Sequence, residues 1–394
     1  MDVVFVSFYG FACNSAGHIA CLANALRELG VRVTVFVPFD KESAARHGHV
    51  NFNVRLFDEL DAWLEQSKPD AARTIIVAWT PRENVRKMVV RIRLRLECLY
   101  VVHLEDNERV ITSVNLGCDY DLLEQMPSEE LDARIGVDAR LSHPHRFPDF
   151  VAQASGVSVL MDTLLSFAKD GQPGHVFWPG YNPAFFGELP VNYEGRRSLG
   201  IADNELVLAY TGNVHSANRR EVLSLYLAVT LLNRLGIKAR LVRTGEDYAT
   251  IADENLAELK SHVIELGKVP SQADVARVTS MADVLVQPGR SDPFNDYRFP
   301  SKVPEFFALG RPVLIPATNL GRFVKDGHDC VVLRRGDAFE IAAHLQALHA
   351  DPALRERLAR QSLAYARSHF QWMDIGRGYL TFLRGLVAVE SVLS

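Results

Sequence analysis

A lysine and a glutamate three positions apart, Lys302 and Glu305, sit in the run RFPSKVPEFFALGRPVL over residues 298–314. The polar turn of Arg298, Pro300 and Ser301 predicts a short helix over 302–309, with Ser301 as N-cap and Lys302 as its first residue. Pro304, third in that helix, costs no intrahelical bond, because first-turn donors have no partner in any case. A helix start offers free N–H groups and a positive dipole end, which suit a phosphate. A carboxylate one turn in suits hydroxyls such as those of a ribose. Gly310 ends the helix, and Pro312, Val313, Leu314 and Ile315 open a buried strand. The run therefore reads as an anion seat with a sugar hook beside it.

A sheet-and-helix frame must position such a seat, and the chain contains two. Apolar runs predict strands over 3–8, 31–37, 74–79 and 98–103. A helix over 17–29 follows the first strand, with Ile19, Leu22, Ala23 and Leu26 at i, i+3, i+4 and i+7. Ser15 is its candidate cap and Gly30 its closing residue. The pattern restarts with strands over 206–211, 238–243, 263–266, 283–287 and 312–315, and helices over 219–235 and 275–281. This βαβ order predicts an α/β chain of two Rossmann-like, doubly wound parallel domains. Their expected bounds are 1–178 and 193–370, with a Gly/Pro-rich linker over 179–192. A C-terminal helix over 371–394 is expected to return toward the first domain. Ligands of such sheets bind beyond the carboxyl ends of the strands, so two facing domains would share a cleft.

Composition narrows the class. With 394 residues, the chain exceeds one ordinary core. Hydrophobic content of 48% and charged content of 23% fit a globular enzyme. A net charge of -5 gives no general attraction to nucleic acid. The five cysteines form no CxxC pair, which points away from zinc and from a disulfide framework. The start MDVVFVSF lacks the form of a signal peptide, and no apolar run is long enough to span a bilayer. A cytoplasmic protein is the expectation.

Several segments, in order, carry a family likeness: NSAGHIACLANALRELG, VVHLEDNE, PGYNPAFF, YTGNVHSANRREVLSLYLAV, LVRTG, LGKVP, ADVLVQPG, PSKVPEFFALGRPVL and SHFQW. Together they resemble the group 1 (family 4-like) retaining glycosyltransferases of GT-B architecture, in the branch that contains PSK. The resemblance implies hexosyl transfer from a nucleotide-diphosphate-sugar donor to a glycan, lipid-linked or small-molecule acceptor, with retention. It implies donor binding on the second domain, acceptor binding on the first, and neither a cofactor nor an essential metal. The family often carries two glutamates eight residues apart; Glu305 matches the second, whereas Tyr297 stands at the first. Asp292, Asn295 and Asp296 are the nearby candidates to take over that role. A nucleotide-sugar epimerase or phosphorylase of the same architecture, or a non-catalytic sugar or nucleotide binder, is the alternative. An NAD enzyme is disfavoured, since GFACNSAGH is no GxGxxG.

The resemblance assigns residues. Glu305 takes the ribose; Ser301, Lys302 and Arg298 take the diphosphate. Gly212, Asn213, Asn218 and Arg219 follow a strand where the family places diphosphate contacts, although Asn218 also reads as a plain helix cap. Arg243, Thr244 and Gly245 form a loop near the donor, and Val269 lies where backbone meets the nucleobase. Gly17 opens a glycine-bearing loop, or simply lets helix and strand pack closely. His103, at an expected strand end, is the candidate to contact the transferred sugar or assist the acceptor, or else is simply structural. Glu105 orients it or meets the acceptor. His103, Glu105 and Lys302 are thus the catalytic candidates. Arg82, Arg86, Lys87, Arg91, Arg93 and Arg95 make a basic run interleaved with Val90 and Leu94. It reads either as the solvated face of a packed helix or as a peripheral contact with anionic lipid at the inner face of a membrane.

Overall fold

The structure, a computed structural model, describes residues 1–250 and 257–393. In chain order its first part holds β1 (Asp2–Ser7), α1 (Asn14–Glu28), β2 (Arg32–Val37), β3 (Asn53–Leu56), α2 (Leu60–Ser67), β4 (Thr74–Trp79) and α3 (Glu83–Arg93). Next come β5 (Leu99–Leu104), α4 (Glu108–Leu116), α5 (Tyr120–Gln125), α6 (Ser128–Ile135), α7 (Phe147–Ala152), β6 (Gly156–Val159) and β7 (Gly174–Val176). The second part holds α8 (Tyr193–Ser198), β8 (Leu206–Thr211), α9 (Arg219–Arg234), β9 (Ala239–Thr244), α10 (Ala257–Lys260), β10 (Val263–Glu265), α11 (Gln272–Thr279) and β11 (Val284–Val286). It continues with α12 (Val303–Ala308), β12 (Val313–Pro316), β13 (Val331–Leu333), α13 (Ala338–Ala350) and α14 (Pro352–His369), and the chain closes with α15 (Trp372–Leu393).

The chain folds into two compact units. Unit 1 comprises Met1–Gly180, Tyr297–Phe299 and Trp372–Ser394; unit 2 comprises Tyr181–Asp296 and Pro300–Gln371. The Gly/Pro-rich stretch over 181–192 is no free tether: Tyr181 and Phe186 are buried, and Asn192 caps α8 through a bond from the Gly195 N–H. Breakers there turn the chain without releasing it from the fold.

Unit 1 is built on a seven-stranded parallel sheet in the order β3-β2-β1-β4-β5-β6-β7. Strands β1, β4 and β5 are buried on both faces, which is why they read as unbroken apolar runs. Helix α1 seals one face through Ile19, Leu22, Ala23 and Leu26, all without solvent exposure. Each large side chain so buried contributes about 1.5–3 kcal/mol. Helix α15 lies against α1, and Gly376 permits it: a β-carbon there would meet the Ala25 β-carbon at 3.0 Å. Among the described residues no helix is long and apolar enough to cross a membrane.

Unit 2 carries a six-stranded parallel sheet in the order β10-β9-β8-β11-β12-β13. Helix α9 covers it with Val222, Leu225, Tyr226, Val229 and Leu232. In both sheets the strand order reverses beside the first strand, between β1 and β4 and between β8 and β11. At such a switch point neighbouring loops diverge and leave a crevice at the carboxyl ends.

Candidate functional site

The crevice of unit 2 is lined by the loop after β8, whose shape depends on two glycines. Gly212 has φ +126° and Gly245, after β9, has φ +112°, backbone that side chains rarely adopt. The loops lie against each other: the Gly212 N–H donates to Thr244 O at 3.1 Å, and a β-carbon on Gly245 would collide with the Gly212 carbonyl. The Gly245 N–H donates to Gly267 O at 2.8 Å, ahead of the half-buried Val269. A β-carbon on Gly212 would come within 2.8 Å of Lys302 Nζ. The bare glycine thus leaves room for the ammonium, which lies 4.1 Å from the centre of the Tyr210 ring. Gly212→Ala is expected to cost about 1–3 kcal/mol of stability through its backbone conformation and contact with Lys302; denaturant unfolding measures it.

Lys302 and Glu305 are the chemically open groups here. Among the described residues neither makes a side-chain hydrogen bond or an ion pair. Burial raises the Glu305 carboxyl to about 8, and the nearby Lys302 charge opposes this only in part. A half-buried acid without a partner is costly in a stable fold.

The local helix differs from the expectation. Lys302 is the N-cap, α12 begins at Val303 and ends within two turns, and Ser301 makes no capping bond. Pro304 occupies one of the first two helical positions. A helix this short, with a proline in its first turn, supplies little dipole or N–H density. The positive charge at this seat comes from the Lys302 ammonium instead.

Other expected donor contacts are engaged in holding the loops. Asn218 Oδ1 accepts from the His215 N–H at 2.7 Å and its Nδ2 donates to Asn213 O at 3.0 Å. Asn213 Oδ1 in turn accepts from the Glu246 N–H at 2.9 Å. Both amides therefore shape the loop. Arg219 is exposed at the start of α9. Arg243 is buried and paired with Asp247 beside Thr244, also buried; Arg243 Nε and Nη1 are sealed in without partners. Arg298 belongs to unit 1, where its charge acts on Asp106. Asp292 and Asn295 organise their own turn: Asp292 Oδ1 accepts from the Phe294 and Asn295 N–H groups, and Asn295 Nδ2 donates to Glu221. Asp296 takes the hydroxyls of Ser291 and Thr318.

The crevice of unit 1 brings together a different set. Glu105 follows β5 and is buried, yet both its oxygens are used. His18 Nδ1 lies 2.8 Å from Oε1, and the Ser15 hydroxyl donates to Oε2. Burial alone would raise this carboxyl, but the His18 hydrogen bond and charge outweigh it and hold it at about 2. Its neighbour Asp106 goes the other way. Burial and the Glu105 charge push it to about 6, against the pull of Arg298. Adjacent carboxyls forced apart in this way are a common mark of a functional site.

His103 does not take part in this opening. It is fully buried, with its ring 3.9 Å from Trp79 and 5.2 Å from Phe177 between centroids. Its Nδ1 contacts Ser158 Oγ at 2.9 Å, and Ser158 reaches the Tyr379 hydroxyl of α15 at 3.3 Å. Burial lowers its pKa to about 3, so the ring stays neutral. A side chain sealed within the sheet cannot touch a sugar, and the role expected of His103 is withdrawn. Gly17 has an ordinary helical place, and a β-carbon there would meet His47 Cε1 at 3.4 Å; packing accounts for it. Ser15 is not the cap expected of it: Cys13 is the N-cap and Ser15 lies in the first turn of α1. Sequence reading missed His18 and its joint use with Ser15 on Glu105; their i, i+3 spacing at a helix start was the available signal.

Comparison with known proteins sets these sites in context. Residues 205–351 match the family described as "Glycosyl transferases group 1". The match lies in the second half of the chain. Of curated proteins, a D-inositol 3-phosphate glycosyltransferase of Stackebrandtia nassauensis is 30% identical over 231 residues, covering 56% of this chain and 49% of that protein. Its counterpart from Actinosynnema mirum is 28% identical over 190 residues, covering 45% and 44%. The match thus spans about half the length of these relatives. Over the whole chain the fold is that of GT-B glycosyltransferases. Anabaena Alr3699/HepE, solved in complex with UDP, superposes with a TM-score of 0.70 at 15% identity, covering 98% of this chain and 100% of that one. Sucrose-phosphate synthase from Thermosynechococcus elongatus gives 0.65 at 17%, covering 99% and 100%. Lys302, Glu305 and both loop glycines fall inside the matched stretch.

Proposed function

We propose that the protein transfers a sugar from a nucleoside-diphosphate sugar to an alcohol acceptor. The observation that carries this is the unpartnered pair Lys302 and Glu305 at the switch point of unit 2. Glu305 accepts from the two ribose hydroxyls, and Lys302 faces the diphosphate in the room left by Gly212. The charge that develops on the leaving diphosphate is then met by the ammonium. UDP-glucose is the first donor to test, since HepE has been solved with UDP and with UDP-glucose. D-inositol 3-phosphate is the first acceptor, after the curated relatives. Retention of configuration belongs to the reading through family resemblance alone, and NMR of the product anomer tests it.

The reading needs no resident metal or other cofactor. Activity is expected to survive EDTA; loss on chelation with rescue by a divalent ion would overturn this part.

A cytoplasmic enzyme working on a lipid-linked or glycan acceptor would meet anionic headgroups. In unit 1, however, much of the basic run is engaged within the protein. Arg86 pairs with Glu83, Arg91 reaches Phe57 O, Arg93 reaches Cys98 O, and Arg95 pairs with Asp61. What is left for a membrane is the ridge of Lys87 with Val90 and Leu94, the last 79% exposed. Leu94→Glu is expected to reduce co-sedimentation with phosphatidylglycerol vesicles, and wild type that ignores such vesicles would remove the membrane contact.

The experiment for the whole reading is a thermal-shift panel of UDP, GDP, ADP and CMP, followed by hydrolysis assays with sugars of the nucleotide that binds. Stabilisation by one nucleoside diphosphate supports it; indifference to all of them sinks it.

A further inference from the structure

The opening of unit 1 holds a carboxylate–imidazole pair that the donor site does not use. His18 and Ser15 lie on one face at the start of α1, the helix that leaves β1. Glu105 leaves β5, on the other side of the β1–β4 switch point. Three observations suggest more than a tie between two loops. Both oxygens of Glu105 are taken by α1, so the carboxylate is fixed in place. A carboxylate can only accept here, so the His18 nitrogen facing it, Nδ1, carries a hydrogen, and in that tautomer the lone pair lies on Nε2. That Nε2 makes no hydrogen bond within the protein and is not sealed from solvent, unlike His103 Nε2, which is.

An imidazole with one nitrogen locked on a buried carboxylate and the other reached by solvent is pre-organised to receive a hydroxyl. We propose that His18 Nε2 accepts the hydrogen bond of the attacking acceptor hydroxyl, with Glu105 and Ser15 as the residues that position it. The ligand class is an alcohol: a sugar or cyclitol hydroxyl, or water when no acceptor is present. The inference deepens the transferase reading and rests on it. It also gives unit 1 the hydroxyl contact that His103 is too deep to provide.

The test uses the full chain and UDP-glucose, or the sugar of whichever nucleoside diphosphate stabilises the wild type, with release of that diphosphate as readout. His18→Asn is the informative variant. Its amide nitrogen keeps the bond to Glu105, while the outward nitrogen is lost. The expected result is a fall in kcat of about 100-fold, with donor KM within about threefold and an unchanged melting temperature. Glu105→Gln should lower kcat less, and the double variant should be no worse than His18→Asn, because the residues act as one unit. A His18→Asn enzyme that keeps more than about a third of wild-type kcat overturns the inference. So does a parallel loss of kcat, nucleotide affinity and melting temperature, which would mark a structural tie. Wild type that binds and turns over no nucleotide sugar is a separate outcome: it removes the transferase reading itself, and this inference with it.

Discussion

With Lys302 replaced by methionine, turnover is expected to fall about 100- to 1000-fold, the range seen when a group aimed at developing charge is removed. Methionine keeps most of the lysine stem and loses only the ammonium over Tyr210, so fold stability should change little. The loss has a specific signature. Affinity for a nucleoside diphosphate should weaken by about 2 kcal/mol, the size of a charge-assisted contact, whereas affinity for the nucleoside alone should not move. Titrating both ligands against both proteins checks it. Equal losses for nucleoside and diphosphate would place Lys302 away from the phosphates.

Glu305 is expected to matter through its charge as well as its place. Two hydroxyls bound by a carboxylate contribute about 2–4 kcal/mol together, so Glu305→Gln should weaken nucleotide binding about 30- to 1000-fold. The sign of the pH dependence follows from the shift. In the free protein burial holds this acid at about 8, above its ordinary 4.5. The carboxylate that accepts ribose hydroxyls must therefore lose a proton on binding below pH 8, and affinity should rise with pH up to that point. The same shift acts on stability in reverse. The native state holds a proton that the unfolded chain has released, so this group makes the free protein less stable as pH rises from about 4.5 to about 8. Below that window it contributes nothing. In Glu305→Gln both slopes should flatten. Comparing the two proteins removes the nucleotide's own titration, and an unchanged slope would mean that another group titrates.

The frame was legible because its strands are buried on both faces. Continuous apolar runs located β4 and β8 to the residue, and the i, i+3, i+4, i+7 pattern located α1 within a few residues. Strands β7 and β13, of three residues each, lie at the edges of their sheets, where the apolar signal is weakest, and the sequence does not reveal them. The misplacement of His103 came from a single residue. Strand β5 runs to Leu104, one position beyond its expected end. That extension draws His103 into register between Trp79 and Ser158 and brings Glu105 to the rim. At a strand end, one residue separates the core from the crevice. In unit 2 the types Lys and Glu at the right spacing were visible, but their lack of partners was not. Partnership depends on what Gly212 and Gly245 leave open across loops distant in sequence.

In the proposed reading, unit 2 seats a nucleoside diphosphate on Lys302 and Glu305. Calorimetric titration of UDP, GDP and ADP into wild type and Glu305→Ala, side by side at about pH 8, where the free acid is half ionised, tests it most directly. At least one of the three is expected to bind wild type, and Glu305→Ala is expected to lose at least about 30-fold of that affinity. Binding of none of the three, or equal binding to both proteins, would contradict it.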